Sequence, residues 1–186
     1  MNNILRWILS ILFVIALGVF AYMYFGTTVF TPRQSPKDTV TFKLNDLELE
    51  VFYNRPSKRN RAIFGALVPY HQVWRTGANE ATTFKTNLPL QVNGTTLNAG
   101  KYTLWSIPSD STWQVIFNAK QYPWGVDDTM KPMREAAFDA ATVTVPVQSI
   151  TPPVEQFTIG FDNSTGNLFL TLAWDTVKIM IPIAAK

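Results

Sequence analysis

The sequence predicts an all-β fold, an antiparallel β-sandwich of about nine strands with jelly-roll-like or barrel-like closure, preceded by one transmembrane helix. Three observations carry this expectation. After residue 40, apolar residues alternate with polar ones at a period of two through most of the chain. Turn-forming pairs such as Asn45-Asp46, Asn93-Gly94 and Asp175-Thr176 interrupt the alternation about every ten residues, as short antiparallel strands require. One long apolar run, residues 4–25, stands apart at the start.

That run reads ILRWILSILFVIALGVFAYMYF, with Arg6 its only charge. From Trp7 onward it rises roughly 28 Å as a helix, close to the ~30 Å hydrocarbon core of a bilayer. A cleaved secretory signal has a shorter apolar region and a small-x-small site, which Ala21-Tyr22-Met23 fits poorly, so the reading is an uncleaved signal anchor. Trp7, Tyr22 and Tyr24 lie near its two ends, where aromatic rings favour the headgroup zone. Arg6 on one side and Arg33, Lys37 and Lys43 on the other leave the orientation undecided by charge. The arrangement of a short anchor before a folded domain places that domain on the extracytoplasmic, periplasmic side. The expected organisation is an anchor over 1–26, a proline-containing tether over 27–37 and a β-sandwich domain over 38–186.

Residues 41–44 and 47–53 alternate across Asn45-Asp46, which predicts a hairpin with Phe42, Leu44, Leu47, Leu49, Val51 and Tyr53 facing the core. Residues 54–61 form a basic loop with Arg55, Lys58, Arg59 and Arg61, read as a solvated connection with an anion site as the alternative. Strands follow at 82–86, 88–92, 95–97, 101–107 and 112–118, and then a loop over 121–133 that carries Trp124, Asp127 and Asp128. One short helical turn is expected within 132–138. The last third predicts strands at 142–150, 155–161, 167–174 and 177–183.

Composition excludes several functions. The chain has no cysteine, so disulfides, thiolate metal sites and a cysteine nucleophile are out, and a single His71 rules out sites that need two imidazoles. After residue 26 there are 15 basic against 13 acidic residues, a net +2 with no long basic run, which gives no case for nucleic acid. Asn93-Gly94-Thr95 and Asn163-Ser164-Thr165 fit the glycosylation pattern but sit at turns, where asparagine is expected anyway. Asp162, Asp127 and Asp128 lack EF-hand spacing, so no metal and no cofactor is assigned.

Residues 63–84, IFGALVPYHQVWRTGANEATTF, match neither a helix nor a strand period. They read as an ordered, polar-centred connection held by the sandwich. Ile63-Phe64-Gly65, Leu67-Val68-Pro69-Tyr70 and the run from Val73 through Trp74-Arg75-Thr76-Gly77-Ala78-Asn79-Glu80 to Thr82 resemble the bacterial family called domain of unknown function 2911. Ser35-Pro36-Lys37, Arg55-Pro56-Ser57, Ala99-Gly100-Lys101-Tyr102, residues 113–118 and Trp124-Gly125 match as well, so the resemblance runs from about Ser35 to Ile183. It implies an exported or membrane-attached β-rich domain with no assigned biochemical role. His71 and Val126-Asp127-Asp128-Thr129 depart from the family's pattern.

Three kinds of chemistry fit the central motif. Arg75 and Glu80 can pair as a latch that fixes the loop, since a buried charge needs a partner. Alternatively, Trp74, Arg75, Thr76, Asn79, Glu80 and Trp124 can line a site for a small polar ligand or carbohydrate, with an indole as wall. A hydrolase of polar envelope material would use Glu80 as general acid or base, with Arg75 stabilising an anion and Asp127 or Asp128 assisting. No nucleophile motif or phosphate loop accompanies them.

Overall fold

The computed structural model describes residues 2–26 and 33–186. The chain divides into two compact units, Met1–Gln34 and Ser35–Lys186. The expected tether falls largely on residues 27–32, which lie outside the described residues.

In the first unit, α1 (Asn3–Ala21) continues into a π-helical turn, Tyr22–Gly26. Asn3–Phe25 is long and apolar enough to cross a membrane, and no side chain of α1 is buried by protein. Ile, Leu, Val and Phe dominate α1, and with Arg6 its only charge and Ser10 its only hydroxyl it has no continuous polar face that could turn to water.

The second unit contains nine strands. They are β1 (Lys37–Leu44), β2 (Leu47–Asn54), β3 (Thr83–Thr86), β4 (Leu90–Val92), β5 (Thr95–Leu97), β6 (Gly100–Pro108), β7 (Thr112–Asn118), β8 (Asp139–Asp162) and β9 (Leu168–Ala185). All pairings are antiparallel, in the order β1-β2-β3-β6-β7-β8-β9-β4-β5. The first half of β8 pairs with β7 and its second half with β9, so one long strand serves both layers of the sandwich. The far edge folds back over it: the Pro56 carbonyl accepts from Phe157 N–H (2.9 Å), the Tyr53 hydroxyl accepts from Ile159 N–H (3.0 Å), and Phe42 meets Phe161 with centroids 5.7 Å apart. The sheet is not closed into a barrel, so of the two closures expected the barrel-like one is set aside.

Alternation puts Leu49, Val51 and Tyr53 of β2, Val143 and Val145 of β8 and Leu170, Leu172 and Trp174 of β9 into one core. The β1–β2 hairpin has the expected two-residue turn, with Asn45 at φ 50, but Leu44 is exposed rather than inward. It is the last residue before the turn on an edge strand, where no second layer reaches it. The strand break expected after residue 150 and the turn expected at Asp175-Thr176 are instead irregularities inside β8 and β9. Register against β9 shifts twice between Ser149 and Thr158, around Pro152 and Pro153, and β9 passes through Asp175 at φ 53. Bulges of this kind bend a strand without ending it. The short turn expected within 132–138 is a 3-10 turn, Ala136–Phe138.

Candidate functional site

Trp74 and Thr82 both dock on β6. Trp74 exchanges backbone hydrogen bonds with Ser106 (2.7 and 3.0 Å), and the Thr82 carbonyl accepts from Leu104 N–H (2.8 Å). Two anchors only two residues apart on β6 force residues 75–81 to loop out from the sheet. The loop closes through left-handed backbone at Thr76 (φ 53) and Asn79 (φ 52) and through Gly77 at φ 154. Asparagine tolerates that region, whereas a β-branched threonine does so at a cost of about 1–3 kcal/mol that its surroundings must offset. They do so with hydrogen bonds: fully buried Thr76 shares a 2.9 Å bond between its hydroxyl and that of Ser106, and its carbonyl accepts from the Thr82 hydroxyl at 2.7 Å. At Gly77 a Cβ would stand 2.9 Å from Thr82 Oγ1 and 3.2 Å from the Asn54 carbonyl.

The arginine and the carboxylate expected to pair with each other have separate partners. Glu80 Oε1 lies 2.8 Å from Lys37 Nζ, and Asn79 Nδ2 donates to the Ser35 carbonyl (3.2 Å). Asn54 Nδ2 donates to the Glu80 carbonyl from beneath (3.4 Å). The loop therefore clamps Ser35 to Lys37, the first residues of the sandwich. Half-buried Arg75 directs Nη1 at two carbonyls, those of Asn79 (3.2 Å) and Trp124 (3.4 Å). Among the described residues it forms no ion pair, and its Nε and Nη2 donate to no protein acceptor. Burial alone pushes its guanidinium below the ordinary value, as expected for a desolvated cation with no facing carboxylate.

The remaining predicted residues divide between core and surface. Trp74 stacks on Trp174 (6.1 Å, 19°) and packs edge-on against Phe157 and Trp113, so its indole belongs to the core cluster. Thr76 is sealed under the loop. Trp124 is exposed, and the loop behind it rests on a small second core of Ala81, Trp105, Ile116 and Tyr122. Gly125, at φ 80, allows this close approach, since a Cβ there would meet Arg75 Cβ at 3.3 Å and Ala81 Cβ at 3.4 Å. Asp127 caps its own loop: its Oδ1 accepts from Thr129 N–H and hydroxyl (2.8 Å each) and from Lys131 N–H (3.0 Å). These bonds, the Thr129 hydroxyl foremost, hold its carboxyl below the usual range. Asp162 caps Ser164 in the same way.

The basic loop after β2 is stitched into the sandwich. Arg55 donates to Phe157 O and Thr158 Oγ1 and pairs with Asp38, Lys58 pairs with Asp175, and Arg61 caps the carbonyls of Ser57 and Lys58. Sequence reasoning missed Lys37, Ser35 and Ser106 as partners of the motif. Only the appearance of Ser35-Pro36-Lys37 in the family resemblance hinted at the first two.

The surface that remains is Arg75, Asn79 and Glu80 beside Trp124, a cationic fork flanked by an amide and a paired carboxylate. A guanidinium with free, coplanar N–H groups suits bidentate recognition of a carboxylate or phosphate. A family model described as "Protein of unknown function (DUF2911)" matches residues 35–183. No curated protein and no solved structure matches the chain.

Proposed function

Since the chain belongs to the DUF2911 family, whose description names no activity, we propose from its geometry that it is a membrane-anchored, extracytoplasmic binding module. Its ligand is a small polar molecule or carbohydrate bearing an acidic group, held at Arg75. The observation that carries this reading is Arg75 itself: half-buried, positioned by two carbonyls and, among the described residues, facing no carboxylate and left with Nε and Nη2 to donate. Asn79 and exposed Trp124 flank it and offer an amide and an indole, the usual companions of a polar ligand. The acidic group narrows the broader expectation of a small polar ligand or carbohydrate, because the cation of Arg75 has donors left over while the indole of Trp74 is packed against the core. The hydrolase reading loses support, because Glu80 is engaged by Lys37 and Asp127 by its own loop.

Calorimetric titration of the full chain against carboxylates, phosphates and acidic sugars, each beside its neutral counterpart, tests the site. Acidic ligands bind, and both Arg75→Gln and Arg75→Lys weaken them about tenfold or more, ~1.4 kcal/mol, because an ammonium cannot reproduce the fork. Equal binding of neutral counterparts, or unchanged affinity in Arg75→Gln, refutes it. The extracytoplasmic side is tested with Ser111→Cys, which gives this cysteine-free chain one exposed thiol. A membrane-impermeant maleimide labels it in intact spheroplasts if the domain is outside, and only after lysis if it is inside. Retention of Met1 on N-terminal sequencing is the expected result for an uncleaved anchor.

A further inference from the structure

We propose that the loop following β7 is a lipid-contacting element, which seats its apolar tip in the headgroup region of a lipid bilayer. Trp124, Met130 and Met133 are 45%, 65% and 44% exposed within ten residues of chain. Isolated exposed apolar residues are unremarkable, but this group sits on a loop that is hydrogen-bonded throughout. Asp127 N–H donates to the Lys131 carbonyl (3.0 Å), Met130 N–H to the Asp127 carbonyl (2.9 Å) and Met133 N–H to the Gly125 carbonyl (3.0 Å), while Val126 and Pro132 form a bridge. The Asp127 carboxylate caps the interior of this turn. Met130 takes φ 66, a conformation unfavourable for an unbranched side chain, and projects into solvent. The loop is thus ordered by its own backbone while its large apolar side chains remain outside.

A lipid surface is the occupant the structure favours, for two reasons. First, the loop adjoins the place where the sandwich begins. Arg75 Nη1 binds the Trp124 carbonyl and the Asn79 carbonyl, and Asn79 Nδ2 binds the Ser35 carbonyl. Ser35 follows Phe25, the last residue of the apolar span, by ten residues in sequence. Second, the chemistry matches the interface, where tryptophan is favoured and flexible methionines fill the irregular headgroup and acyl boundary. Asp127 and Asp128 outnumber Lys131 on the loop, so burial of apolar area, and not attraction to acidic lipid, provides the binding.

The absence of cysteine allows a direct test with the full chain in vesicles of phosphatidylethanolamine and phosphatidylcholine. Met130→Cys and Ser111→Cys are each labelled with an environment-sensitive fluorophore. Ser111 lies in the turn at the other end of β7, a seven-residue strand about 23 Å long. The label at 130 shifts to the blue and is quenched by nitroxide on the lipid but poorly by aqueous iodide, and the label at 111 behaves in the opposite way. Trp124→Ser with Met133→Ser reduces lipid quenching at 130 and leaves the sandwich's melting temperature unchanged. Equal iodide quenching at the two positions overturns the proposal. Protection from iodide without lipid quenching also overturns it, and points to a protein occupant instead. Neither result depends on whether Arg75 binds an anion.

Discussion

Gly77→Ala tests the loop's architecture most sharply, because a matched control separates backbone strain from crowding. Gly94 has φ 83 and nothing within 4 Å of an added Cβ, so Gly94→Ala carries only the penalty of a left-handed alanine, about 1–2 kcal/mol. Gly77, at φ 154, has a conformational penalty of about 1–3 kcal/mol. In addition, its new methyl group would stand 2.9 Å from Thr82 Oγ1. Moving that hydroxyl breaks its 2.7 Å bond to the Thr76 carbonyl and leaves buried groups unpaired, at about 1–3 kcal/mol. The Asn54 carbonyl at 3.2 Å cannot retreat, since Asn54 ends β2 and is fully buried. Together these come to about 4 kcal/mol, and at ~2–4 °C per kcal/mol for a chain of this size Gly77→Ala melts roughly 8–16 °C below the wild type. Near-ultraviolet circular dichroism in mild detergent follows the tryptophan core through the transition. If Gly77→Ala melts within about 3 °C of Gly94→Ala, less than 1.5 kcal/mol apart, the clamped loop as described is wrong.

Glu80→Gln lowers stability by less than about 1 kcal/mol in thermal melts, because the pair with Lys37 has side-chain exposures of 20% and 48%; a buried Arg75–Glu80 latch would have cost ~3–5 kcal/mol. Ser106→Ala removes the 2.9 Å bond to the buried Thr76 hydroxyl, which keeps only its longer 3.4 Å bond to the Trp74 carbonyl, and destabilises by about 0.5–1.5 kcal/mol, read by urea unfolding, whereas Ser106→Thr tests whether the site tolerates one more methyl. Asp127 has a depressed carboxyl in the folded protein, so its cap is complete above the unfolded-state value near ~3.9 and is lost as pH falls through the lower folded value. Amide exchange at Thr129 and Lys131 is accordingly protected and flat, after correction for intrinsic rates, from about pH 7 to 5 and opens only below about pH 4.

Much of the fold was legible because period-two alternation reports burial directly: Leu49, Val51 and Tyr53 or Leu170, Leu172 and Trp174 could hardly face two ways. The break points were less so. Pro152-Pro153 and Asp175-Thr176 carry ordinary turn chemistry, and only pairing with a neighbouring strand decides whether such residues end a strand or bulge within it. The motif from Trp74 to Glu80 was recognisable as an ordered polar loop, but its partners were not. The carboxylate of Glu80 reaches Lys37, forty-three positions earlier, and Thr76 reaches Ser106, thirty positions later. Such pairings follow from strand order, and nothing local encodes them. Proximity in sequence suggested an Arg75–Glu80 pair. The positive φ at Thr76 and Asn79 turns the two side chains toward different partners.

The central claim is that Arg75 presents Nε and Nη2 to an acidic ligand. Nitrogen NMR of its guanidinium in the full chain, followed through a titration with inorganic phosphate and then with acetate, measures this most directly. Saturable shifts of the Arg75 Nε–H signal are expected, accompanied by the Trp124 indole and absent from Arg55, whose donors are engaged by Phe157 and Thr158. Shifts that grow linearly without saturation, or that are equal at Arg75 and Arg55, contradict it.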